Sequence, residues 1–172
     1  TIVFQNQTFI SSGMVLSDYY LFNYPLKSLM HSTVLSTNAI PYWTDLIGNG
    51  YPIFAEGQMG ALYPFHLFFF SLPLKTIALF NLNLILHYAL SSIFIYLYLS
   101  KYIKSGRHVS LVGAFIFTYS GYMLTHLHQL NIILVITYLP LNFYLIERLF
   151  ELNNKTKKST YLALLTVVTV AL

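Results

Sequence analysis

The run at 76–100, TIALFNLNLILHYALSSIFIYLYLS, is 25 residues long and contains no Asp, Glu, Lys or Arg. About 20 apolar residues suffice to cross the hydrocarbon core of a bilayer as a helix, so this stretch is long enough to span with some tilt. Further apolar runs follow at 109–125, 132–150 and 160–172. The chain is 56% hydrophobic and 8% charged, against roughly 25% charged for a soluble domain. So few charges cannot cover the surface of a soluble protein of this size, and the lipid bilayer is the expected solvent. The expected fold class is all-α, a polytopic transmembrane helix bundle over 76–172.

Polar residues inside these runs constrain how the helices face. Asn83, His87 and Ser91 recur every fourth residue and share one side of the 76–100 helix. Such a stripe turns toward protein or a water-filled cavity, not lipid, and interhelical hydrogen bonding is its first reading. Gly113, Ser120 and Gly121 offer small surfaces for close helix contact in the second run. Pro140 is expected to kink the third.

Charge sets the orientation. Seven of the nine Lys and Arg residues fall at two places: Lys101, Lys104 and Arg107, then Arg148, Lys155, Lys157 and Lys158. Two spans separate these places, so both are expected on one side, and the positive-inside rule makes 101–108 and 151–159 cytoplasmic. Residues 1–75 and the polar break at 126–131 then lie outside. The net charge of +4 is accounted for by topology, so nucleic acid is not expected as a partner. The absence of Cys rules out disulfides and thiolate metal sites.

Residues 1–75 form the expected large extracytoplasmic first loop. Most of its polarity lies at 18–64, which holds Asp18, Asp45 and Glu56, three of the five acidic residues, together with Trp43, the only Trp. Residues 18–36 read as a short helix lying on the membrane, with Pro25 early in it. Residues 38–60 are dense in turn signals but rich in aromatics, which predicts an ordered loop and not a linker. Residues 61–74 are apolar, short and twice interrupted by proline, as in an interfacial or re-entrant segment. The chain starts at Thr1 without Met and stops inside an apolar run, so it is expected to be a fragment of one larger membrane domain.

An ordered series of motifs runs through the chain: Asp18-Tyr19-Tyr20, Tyr24-Pro25, Ile40-Pro41-Tyr42-Trp43-Thr44-Asp45, Gly48-Asn49-Gly50-Tyr51-Pro52, Gln58-Met59-Gly60, Tyr63-Pro64, Ser120-Gly121, His126-Leu127-His128 and Tyr138-Leu139-Pro140-Leu141. In this series the chain resembles the YfhO family of bacterial membrane proteins, within the C-type (GT-C fold) glycosyltransferases that use polyprenyl-phosphate sugars. The resemblance implies a multi-span enzyme of the cell membrane whose first span lies before Thr1. It implies transfer of sugar from a polyprenyl-phosphate-linked donor to a cell-envelope polymer such as a teichoic acid. It also implies a catalytic acid near the start of the first loop, the position of Asp18. Many such enzymes carry paired acids there, whereas Asp18 is followed by Tyr19.

That chemistry needs a base for the acceptor hydroxyl, stabilisation of the leaving phosphate by cationic groups or a divalent cation, and exclusion of water. Asp18 is the candidate base. Asp45 and Glu56 are candidates to orient the acceptor or hold a cation. Lys27, His126 and His128 are candidates for the phosphate, and Trp43 for stacking on a sugar. Each has a structural alternative: Asp18 as a helix N-cap, Asp45 and Glu56 as turn residues, the His pair as satisfied interfacial contacts, and Trp43 as packing. A transporter or flippase for a lipid-linked precursor, with the 83–87–91 stripe lining its path, is the alternative to an enzyme. A structural partner that positions another enzyme is a third reading.

Overall fold

The structure, a computed structural model, describes residues 19–127, 129–152 and 155–170. Among them all regular structure is helical, and the one extended pairing is an isolated antiparallel bridge between Thr44 and Tyr51. The chain divides into two compact units, Thr1–Ile85 and Leu86–Leu172.

In the first unit a π-helical turn, Tyr19–Asn23, leads into helix α1, Tyr24–Thr37. Pro25 stands in the first turn of α1, where no backbone N–H is required. The helix stops at Asn38, whose left-handed backbone (φ 54°) returns its N–H to the Val34 carbonyl; Asn tolerates that conformation better than most residues. Leu26, Lys27, Met30 and His31 are the buried face of α1, at the three- and four-residue spacing that one helix side dictates.

The ordered loop that follows is held by the backbone exchange of Thr44 and Tyr51, at 2.9 and 2.8 Å. Two single 3-10 turns, Ile53–Ala55 and Gly57–Met59, carry the chain to helix α2, Pro64–Phe70. Buried Ile53, Met59, Tyr63, Phe69 and Phe70 make up most of the apolar core of this unit, with Leu79 and Phe80 from the start of helix α3, Thr76–Leu97. Where a short helix was expected at 18–36, an α-helix runs over Tyr24–Thr37, preceded by the π-helical turn Tyr19–Asn23.

In the second unit α3 runs on through a π-helical segment, Tyr98–Tyr102, and is followed by α4 (Arg107–Thr118), α5 (Gly121–Thr125), α6 (Leu130–Glu151) and α7 (Lys155–Val170). Helices α3 and α6 lie side by side and point the same way. The Thr137 hydroxyl donates to the His87 carbonyl at 3.2 Å, Tyr98 packs on Phe143, and Tyr102 donates to Glu147 at 2.9 Å. Chain numbers rise together along both helices. Between them α4 and α5 run back, with Ser92 bonded to Thr118 and Tyr88 bonded to the Met123 carbonyl. The Tyr102–Glu147 bond brings the basic segment at 101–107 and the end of α6 to one end of this unit.

Among the described residues two helices, Thr76–Tyr102 and Leu130–Glu151, are long and apolar enough to cross a membrane by length and composition. The second expected span, 109–125, is instead divided. Ser120 leaves the helix (φ −61°, ψ 154°) and its hydroxyl caps the Met123 N–H at 3.5 Å. A Ser followed by Gly favours such a cap over continued helix.

Gly50 is the tightest point of the first unit. Its φ of +116° is a glycine conformation, and a Cβ there would collide with the Trp43 indole. Gly50→Ala is expected to lower stability by about 1–3 kcal/mol. It should also red-shift the emission of Trp43 as the ring is displaced. Chemical denaturation followed by tryptophan fluorescence reads both, because Trp43 is the only Trp.

Candidate functional site

The face of α1 that points inward carries a lysine. Lys27 is 1% exposed, and its ammonium meets two acceptors, the Met59 carbonyl at 3.2 Å and His66 Nε2 at 3.5 Å. The Met59 carbonyl is presented by the Gly57–Met59 turn, which Gly60 closes in the left-handed conformation (φ +56°). The Gly60 carbonyl lies 3.1 Å from His66 Nδ1. A Cβ on Gly60 would come within 2.9 Å of that ring nitrogen, so glycine permits both the turn and the close approach of the imidazole.

These contacts assign the His66 tautomer. A carbonyl only accepts, so Nδ1 carries the hydrogen, and Nε2 is left with a lone pair that accepts from Lys27. Tyr63 stands edge-on to the ring at 5.0 Å and Phe70 packs on it at 5.5 Å. One helical turn along α1, His31 makes the complementary arrangement. Its Nε2 donates to the Leu72 carbonyl at 3.0 Å, and its Nδ1 accepts from the Thr76 hydroxyl at 2.9 Å. His31 thereby fastens α1 to the first residue of α3.

No carboxylate answers the lysine: among the described residues the one ion pair is Arg148–Glu151. Burial removes the water that would stabilise an ammonium, and this pulls Lys27 from 10.5 down to about 7. An amine close to half-protonated at neutral pH can give or take a proton, and becomes a full cation when an anion reaches it.

Asp45 accepts the Trp43 indole N–H at 2.9 Å, and both residues are exposed, Trp43 by 55%. Glu56 accepts from the Tyr51 hydroxyl at 2.5 Å and from the Gln58 N–H at 3.3 Å. Both its oxygens are engaged within its own turn, and the bond to Glu56 holds the Tyr51 phenol above its usual range. In the second unit, half-buried His126 stacks on Tyr122 at 4.1 Å, and its Nδ1 meets the Tyr122 carbonyl at 2.8 Å. Asp18 and His128 lie outside the described residues.

The structure therefore joins Trp43 with Asp45, Glu56 with Tyr51, and Lys27 with His66, and no described bond links these three pairs. Among the described residues no group of three or more His, Asp or Glu is arranged to hold a metal ion. His31 and His66 were not read as site residues from the sequence. The available signal for His66 was a lone polar residue inside the aromatic run PFHLFFF. Comparison with protein-family models, with curated proteins and with solved structures found no match.

Lys27 makes folding pH-dependent in a defined direction. Between pH 7 and 10.5 the unfolded chain holds the lysine proton and the folded chain does not, so stability rises with pH across that window. Below pH 7 both states hold the proton and the full cost of burying the charge remains, at most about 5 kcal/mol for a lowering of this size. Lys27→Met is expected to raise stability at pH 6 and to lose that advantage by pH 10. Denaturation midpoints of both proteins across this range measure the slope.

Proposed function

We propose that this chain is part of a multi-span membrane glycosyltransferase of the GT-C kind, which moves a sugar from a polyprenyl-phosphate carrier to an extracytoplasmic cell-envelope acceptor. The observation that carries this reading is Lys27, a buried amine with no carboxylate beside it among the described residues, in a folded unit fastened to the start of a membrane-length helix. Tyr24 packs on Phe80 and His31 bonds Thr76, so α1 runs antiparallel to the first turn of α3. Lys27 falls between those two levels, within about 6 Å of the α3 start at 1.5 Å per residue. If α3 crosses the bilayer, that is the depth of lipid phosphates.

In this reading residues 1–75 and 126–131 are extracytoplasmic and the two basic segments cytoplasmic. Exposed Val109, Val112, Phe115 and Ile116 on α4 meet acyl chains, which removes the difficulty of so much apolar surface in water. Lys27 neutralises the leaving phosphate, Asp18 takes the acceptor proton, and exposed Tyr42 and Trp43 offer faces for the sugar. Asp45 and Glu56 serve the turns that present these rings.

The alternative, a flippase of a lipid-linked precursor, draws on the α3 stripe. Ser91 Oγ is fully buried with no protein partner, as is Asn142 Oδ1 of α6, which is how a hydrated seam between helices would begin. Against it, Thr137 bonds the His87 carbonyl directly, the behaviour of helix-to-helix adhesion.

Radiolabelled sugar transfer by the purified full-length protein separates the two. Asp18→Asn is expected to lower the rate at least 100-fold with normal expression, within the range for loss of a general base, and Lys27→Gln about 10- to 100-fold. Transfer absent from the wild type, together with lipid movement across vesicles, would replace the enzyme with the flippase. Unchanged transfer in Asp18→Asn would remove Asp18 from the mechanism.

A further inference from the structure

One end of the second unit gathers tyrosines and cations in a single layer. Tyr98 stacks on Tyr102 at 5.7 Å and packs on Phe143 at 6.2 Å. Tyr102 donates to Glu147 at 2.9 Å. One residue further along α6, Arg148 reaches the Tyr144 hydroxyl at 3.3 Å and Glu151 at 2.9 Å. At about 1.5 Å per residue, Tyr98–Tyr102 and Tyr144–Arg148 each cover about 6 Å, so these groups share one level. Tyrosines and cations at one level mark the boundary between hydrocarbon and water.

The segment 101–107, KYIKSGR, leaves α3 at that level and carries three cations and no acid. It is a folded turn and not a loose loop. Lys104 takes a left-handed backbone (φ 58°), and Ser105 returns both its N–H and its hydroxyl to the Leu99 carbonyl, each at 3.0 Å. The Ser105 hydroxyl also meets that of Ser110 in α4 at 2.8 Å. Lys101, Lys104 and Arg107 are thereby held three residues apart, and all three are exposed. Lys157 and Lys158 follow in the first turn of α7, which three residues tether to the end of α6. The acids at the end of α6 are already engaged, Glu147 by Tyr102 and Glu151 by Arg148.

The apolar neighbours decide what kind of anion fits. Exposed Ile103 and Val109 flank Lys104 and Arg107. An acidic peptide or a nucleic acid would satisfy the cations and leave these side chains in water. The edge of a bilayer takes both, apolar groups below and phosphates above.

We propose that the 101–107 turn, with the adjoining end of α6, is a docking surface for the headgroups of anionic phospholipids. Lys101, Lys104 and Arg107 donate to the phosphodiester oxygens, and the net charge of the headgroup sets the preference. The proposal rests on the bilayer part of the reading above, that α3 and α6 cross a membrane, and not on sugar transfer.

Spin-labelled phosphatidylglycerol and phosphatidylcholine test it, each added to the purified full-length protein in phosphatidylcholine bilayers. Lipid touching the protein gives a motionally restricted signal in electron spin resonance, and its size for each probe gives the relative association. At about 10 mM salt, where screening reaches about 30 Å, the anionic probe is expected to associate at least about fivefold more strongly. That is the factor one Lys or Arg contributes near such a surface. The preference should fall toward equality at about 1 M salt, where screening shortens to about 3 Å. This salt series needs only the wild type. Lys101→Gln, Lys104→Gln and Arg107→Gln together should remove most of the preference. Lys101→Arg with Lys104→Arg should keep it, because charge is read and not shape. Lys75→Gln, at the other end of α3, should keep it as well. Equal association of the two probes at low salt would overturn the docking surface, as would a preference that survives the triple substitution or 1 M salt. A restricted signal absent for both probes would overturn the bilayer reading beneath it.

Discussion

A charge taken out of water must be answered by another charge, by several hydrogen bonds, or by loss of the proton. The first unit is built around a lysine answered in the last two ways. Two acceptors reach Lys27, one from a backbone turn and one from a ring, and burial brings the amine to the edge of neutrality. Much of the local architecture serves these acceptors. Gly60 must be left-handed for the Gly57–Met59 turn to close, and it must lack a Cβ for His66 to approach. The Gly60 carbonyl fixes the His66 tautomer, and the tautomer decides which way the Lys27 bond can run.

The second unit meets the same constraint without buried charge among its described residues. Its helices are joined through hydroxyls and tyrosines: Thr137 to the His87 carbonyl, Tyr88 to the Met123 carbonyl, Ser92 to Thr118, Tyr102 to Glu147. Each bond satisfies a polar atom between helices, and each sets a register between neighbours. The side-by-side direction of α3 and α6 follows from these registers. So does the meeting of the 101–107 segment with the end of α6.

Helix content and position were legible because they rest on local signals. Apolar length marked α3 and α6, and Pro25 was expected early in the 18–36 helix; the prolines of 61–74 were read as interruptions, whereas Pro64 begins α2. The division of the second expected span was also written locally, in Ser120-Gly121, but those residues were read as small packing surfaces and not as a cap. Site residues were less legible, because their roles depend on partners far along the chain. Lys27 was identified as a phosphate candidate as the basic residue deep in the first loop, yet its partners Met59 and His66 lie 32 and 39 residues away. Nothing in the spacing of LKSLMH pairs Lys27 with PFHLFFF. Glu56 shows the reverse case: the sequence offered both a turn and an acceptor-binding role, and its bonds to Tyr51 and Gln58 engage it within the turn.

Among the described residues no carboxylate pairs with Lys27, which bears on what such a lysine is suited to do. A lysine paired with an acid is stable as a cation, but the acid repels any phosphate that approaches, and the pair must be broken before the ammonium can serve it. A lysine held near neutrality by burial carries no such rival. An arriving dianion restores the proton by its own field, so the charge forms where and when it is required. Holding such an amine closed demands neutral acceptors, since anything anionic would defeat the arrangement. A backbone carbonyl and an imidazole lone pair are the acceptors found here, and imidazole is the side chain whose acceptor capacity can be withdrawn by a proton near physiological pH. Among the described residues, the backbone carbonyl, the histidine and the glycine that admits its ring therefore act together to hold the amine closed without an anion.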